Sequence, residues 1–175
     1  MRVVPPRLLG EEGGAAAAEM ALIVPLLLIL GMGAVELGNY FLDEHRLVKA
    51  VRDGARYAAR QDFSNFAGCN TTAADVPTTL KNNVKSIVQT GLLSGGTDLL
   101  PHWATATFTV QTTCNSTAGT QTLGGIYTGT TGAAPPAVVT VTATVPYAPV
   151  ASLGFGFKAT GYNLYAQEQA PVTGV

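Results

Sequence analysis

The chain has 175 residues, enough for one modest domain and an anchor, with 47% apolar and only 12% charged residues. A soluble domain typically carries about a quarter charged residues, and here the deficit is concentrated beyond Cys69, where three acids, three lysines and no arginine remain. The net charge of −1 gives no electrostatic basis for nucleic-acid binding, and the Thr-, Gly- and Ser-rich remainder suits an exported β-rich chain better than a cytosolic enzyme.

Residues 1–14 (MRVVPPRLLGEEGG) show no periodicity and have the look of a leader. Residues 15–35 form an apolar run of about the length that crosses a ~30 Å hydrocarbon core. Pro25 lies inside it, where a membrane helix tolerates proline, often with a kink. The run opens on four alanines and Glu19, five residues after Gly14. A carboxylate in a membrane segment costs roughly 2.5–3.5 kcal/mol at the bilayer centre and less near an end, so it is a functional candidate. Two processing sites compete: Gly14–Ala15, before the apolar core, and the small residues Gly31 to Ala34 after it, where an ordinary secretory signal is cut. In the first case Ala15 acquires a new α-amine, which can neutralise Glu19 of a neighbouring helix and set the register between the two. Basic residues are nearly balanced on the two sides of the run. The low charge, cysteines and threonines of the C-terminal part place that part outside and the N-terminus inside.

Helical periodicity continues past the run. Leu37, Tyr40, Phe41, Leu47, Val48, Val51, Ala55 and Ala58 recur at three- and four-residue steps, giving one helix over residues 15–60, about 69 Å at 1.5 Å per residue. Its first half (15–35) spans and its second (36–60) projects. Gly54 is its weak point, costing about 1 kcal/mol relative to alanine. Residues 63–75 connect, and Asp75 is placed to cap a short helix over 76–93 that ends at Gly95-Gly96. Residues 102–112 alternate imperfectly as a strand, with His102 at its edge. Residues 115–132 form a Gly/Thr-rich hairpin or loop, and 137–145 (AVVTVTATV) the clearest strand. Residues 146–157 make a hydrophobic loop, and 160–170 a closing strand antiparallel to its predecessor. The fold expected is α+β: a long N-terminal membrane-spanning stem helix, then a small domain over 61–175 with a short helix and an antiparallel sheet.

Chemistry is sparse. Cys69 and Cys114, 45 positions apart, fit no metal motif; in an oxidising compartment they form one disulfide, and otherwise they are two unrelated buried thiols. His45 lacks the i, i+4 histidine partner of a zincin, and no phosphate loop or catalytic constellation is present, so neither metal nor cofactor is expected. Asn70 and Asn115 open glycosylation sequons that matter only in a eukaryotic source.

The residues GAAAAEMALIVPLLLILGMGAVELGNYF (14–41), followed by AVRDGARYAAR (50–60), resemble the TadE-like family of the tight-adherence (Tad/Flp) pilus system, a relative of type IV pilins and pseudopilins. The acidic Glu11-Glu12 departs from the basic residue common before such a cleavage site. The resemblance implies a structural minor pilin or pseudopilin, cut by a prepilin peptidase at Gly14–Ala15 and using Glu19 in assembly. Its implied partners are other pilins, the inner-membrane assembly machinery and membrane lipid. The chain is longer than the major Flp pilins and shorter than the TadG proteins. The alternative is an anchored or secreted β domain that binds a surface or glycan through exposed aromatics such as Trp103 and Tyr127.

Overall fold

The structure, a computed structural model, describes residues 12–66, 72–114, 124–127, 137–150 and 161–174. Most of the expected leader, Cys69, both sequon asparagines and most of the two long loops lie outside these residues. The chain is α+β, as its patterning implies. It divides into two compact units, the first ending at Gly38 and the second running from Asn39 to Val175. The boundary falls inside the first helix, α1 (Glu12–Ala59), which continues through Pro25.

In the first unit every described residue is on α1, and its membrane-length window is 0% buried. The second unit holds the remainder of α1, then β1 (Ala74–Asp75), α2 (Thr78–Thr90), β2 (Thr107–Cys114), β3 (Ala137–Pro146) and β4 (Asn163–Pro171). The four strands form one antiparallel meander in the order β1-β2-β3-β4. β3 lies between β2 and β4, and its alternation is the cleanest. Ala137, Val139, Val141, Ala143 and Val145 are all buried, whereas Thr140, Thr142 and Thr144 face the other way. Register pairs Val141 with Val110 on one side and Val145 with Leu164 on the other, bringing apolar residues of three strands to one face. That face shares a core with Leu47, Val51, Ala55 and Ala58 of α1 and Leu80, Val84 and Val88 of α2. The three-to-four-residue spacing of each helix meets the two-residue spacing of the sheet in one apolar layer.

Several local expectations are corrected. α2 begins at Thr78 with Pro77 at the cap position and no side-chain cap. Asp75 is taken instead by β1, where it pairs with Gln111 and its carboxylate receives Lys81 Nζ at 3.5 Å. The helix also ends early. Gly91 adopts φ 78°, a left-handed turn that few other residues enter cheaply, and its N–H donates to Ile87 O at 2.8 Å. His102 is not a strand-edge residue; it takes φ 62° ahead of a single 3₁₀ turn, Trp103–Thr105, that delays β2. Gly54 is no defect either. A Cβ there would lie 2.5 Å from Val88 Cγ2, so the missing side chain lets α1 and α2 approach closely.

Candidate assembly and membrane segment

The residues singled out at the N-terminal end lie in the first turns of α1. Gly14, Ala15 and Glu19 are all helical and exposed. Glu19 bonds no other side chain among the described residues. Beyond it, Leu22, Ile23, Leu26, Leu27, Leu28, Ile29 and Leu30 are all exposed. An apolar run without a buried face is the pattern of a helix whose partner is lipid or other helices. Its mean hydropathy of 2.3 over the best window gives the chain one helix, among the described residues, long and apolar enough to cross a membrane. Pro25 removes one N–H from this run, leaving the carbonyl of Ala21 without its usual donor.

The C-terminal half of α1 carries the second part of the pattern. Ala55, Ala58 and Ala59 are buried and small, while Arg52 and Arg56 stay outside. The A-R-Y-A-A step therefore packs its alanines against the domain core, with the arginines on the solvent face. Tyr57 accepts a hydrogen bond at its hydroxyl from Asn83 Nδ2 at 3.4 Å, joining α1 to α2.

Residues 14–56 match the TadE-like protein family. No curated protein and no solved structure matches the chain. The TadE-like match ends just before α1 does, so it covers the helix and not the sheet that follows. TadE-like proteins are structural components associated with the Tad pilus, and the apolar helix fits a membrane-anchored protein.

Cys114, the last residue of β2, is buried and disulfide-bonded, while Cys69 lies outside the described residues. The two aromatics that favoured a ligand-binding domain are otherwise engaged. Trp103 is buried in the core, and Tyr127 donates its hydroxyl proton to Val172 O at 2.9 Å. The Trp103 ring is thus closed to a ligand, while Tyr127 stays partly exposed. A different aromatic grouping, absent from the sequence reading, occurs near Asn39. Tyr40 stands edge-on to Tyr147 with ring centroids 5.2 Å apart. Its signal was a second apolar-aromatic step on α1, but the partner is more than a hundred residues away and only the β3–β4 pairing brings it there.

Proposed function

We propose that the chain is a non-enzymatic minor pilin or pseudopilin of a Tad-type pilus. It inserts in the bacterial inner membrane through the apolar part of α1, with the β-rich domain on the periplasmic side. A prepilin peptidase removes residues 1–14, and the new amine of Ala15 pairs with Glu19 of an adjacent pilin helix during assembly. Pro25 introduces local give in the packed helix. The observation that carries this reading is the TadE-like match over an exposed, membrane-length helix that opens with Gly14 and Glu19. A carboxylate near the start of such a helix is a functional candidate, and the new amine of a processed neighbour supplies a partner for it.

Mass-spectrometric sequencing of the mature N-terminus, in cells with and without the peptidase, tests the processing step. A start at Ala15 that depends on the peptidase is expected. A start near Val35 would make the apolar run a discarded secretory signal, and an intact leader would remove cleavage from the mechanism. Co-purification of the mature chain with other pilins and the inner-membrane assembly proteins is the matching expectation for its partners.

A further inference from the structure

Three of the chain's six tyrosines, Tyr40, Tyr147 and Tyr162, are drawn together where β3 ends and β4 begins. Tyr40 is the keystone. Its ring lies edge-on to Tyr147 at 5.2 Å and to Phe41 at 6.1 Å, and its hydroxyl donates to Asn163 O at 3.4 Å. The Tyr147 N–H donates to Tyr162 O at 3.0 Å, holding the end of β3 beside the start of β4. Around this support Tyr162 is 65% exposed, and Phe41, Leu42 and Val150 are about half exposed. Residues 37–42 (LGNYFL), 145–150 (VPYAPV) and 161–166 (GYNLYA) contain no charged side chain. Charge begins one step further along α1, with Asp43 and its 2.9 Å partner Arg46.

Rings with an apolar body and a polar tip favour the boundary between lipid headgroups and acyl chains. This collar begins five residues beyond Val35, on the same helix as the apolar run and with no break in it. We propose that the tyrosine collar seats the domain on the lipid–water boundary of the bilayer that receives the apolar run, and thereby fixes the depth of α1. The inference rests on the membrane reading above. With Tyr40 and Phe41 at headgroup level, Glu36 falls at the near edge of the hydrocarbon. Glu19 lies seventeen residues back in the sequence, a length of helix of about 25 Å, comparable to a hydrocarbon core ~30 Å thick. The sixteen residues between the two acids carry no charge. Both carboxylates therefore reach headgroups, and Glu19 waits at the boundary where a neighbour's amine is available.

The full chain, reconstituted in phosphatidylcholine/phosphatidylglycerol bilayers, tests this with tryptophan introduced at Leu28, Tyr162 or Gln169. Each variant is read against the parent, whose sole tryptophan, Trp103, is buried. Doxyl-labelled lipids carry the quencher either near the headgroup or deep in the chains. Tyr162→Trp should lose at least half of its added emission to the shallow quencher and less to the deep one. Leu28→Trp should show the reverse order, and Gln169→Trp, exposed at the other end of β4, should lose little to either. Quenching of Leu28→Trp with none of Tyr162→Trp would keep the membrane helix and overturn the collar. Loss of both signals would overturn the membrane reading itself and the collar with it. Blue-shifted but unquenched emission from Tyr162→Trp that grows with protein concentration would assign the patch to a second copy and overturn the lipid seat. Tyr162→Trp quenched without Leu28→Trp would overturn the register of α1.

Discussion

Gly54 shows how one absent side chain sets a helix crossing. Helix propensity alone favours Gly54→Ala by about 1 kcal/mol. In the fold the added Cβ meets Val88 Cγ2 at 2.5 Å and Val84 Cγ1 at 3.3 Å. Both valines are buried and β-branched, with little rotamer freedom to retreat. Overpacking of this kind costs about 1–3 kcal/mol, so the variant is expected to be destabilised, with a lower Tm of the full chain in detergent. A rise in Tm would show that α2 shifts to accept the methyl group. Glu19 has the opposite character, since no side chain among the described residues bonds it. Glu19→Ala should insert and fold as the parent does while most pili are lost, measured by membrane fractionation together with electron microscopy of cells. Unchanged piliation would take Glu19 out of assembly. Asp62, just beyond α1, is held below the ordinary carboxylate range by hydrogen bonds from Ser64, first from its side chain and then from its backbone N–H, the latter at 2.7 Å. A carboxyl with a depressed folded value contributes above its unfolded value and loses that contribution as pH falls through the folded one. An NMR titration of Asp62 should accordingly find a midpoint below that of the same residue in an unstructured peptide.

At the scale of elements, the end of α1 depends on the last residues of the chain. A helix leaves its final carbonyls without intrahelical donors. Here Ala59 O accepts from the Thr173 N–H at 2.8 Å and from Thr173 Oγ1 at 3.2 Å. The adjoining Val172 is fully buried, and its N–H donates to Ala137 O at 2.8 Å, where β3 begins. Gly174, at φ 62°, leaves room for the Phe63 ring, which any Cβ would strike. Three elements distant in sequence are thus tied by one short segment. Thr173→Ala keeps the backbone bond and should cost about 1 kcal/mol or less. Thr173→Pro removes the N–H and should cost about 1–3 kcal/mol, with faster amide exchange in the last turn of α1. Equal losses in denaturant melts would mean that the backbone bond contributes nothing.

In the second unit a sheet of four strands packs with two helices around one apolar core. The Arg52–Glu168 pair, 3.9 Å apart and well exposed, contributes little. Covalent closure matters more. Cys114 is disulfide-bonded at the end of β2, and we propose Cys69, the chain's only other cysteine, as its partner. A loop of that length implies about 4 kcal/mol from restriction of the unfolded chain. Cys114→Ser should lower the Tm strongly, and non-reducing peptide mapping should recover a peptide joining Cys69 to Cys114. Recovery of disulfide-linked dimers instead would make the bond intermolecular.

The helix, the two central features of the sheet and the membrane-length run were legible because each is periodic within its own segment. Ala-Val-Val-Thr-Val-Thr-Ala-Thr-Val alternates whatever surrounds it, residues 15–35 are continuously apolar but for Glu19, and residues 37–58 repeat at three- and four-residue steps. The Gly14 and Glu19 spacing is equally local, and the function proposed for it rests on that spacing. What the sequence hid depended on partners far along the chain. β1 has two residues and exists only because β2 offers it an edge. Asp75 left its expected cap for that edge. Trp103 looked like a surface aromatic until a 3₁₀ turn folded it inward, and Tyr40 became the centre of a collar only when β3 and β4 carried Tyr147 and Tyr162 to it. Local spacing by itself determined the helix, the central strand and the acid at the head of the run. Tertiary structure decided which side chains meet across long separations, because those contacts form only once the intervening chain has folded between them.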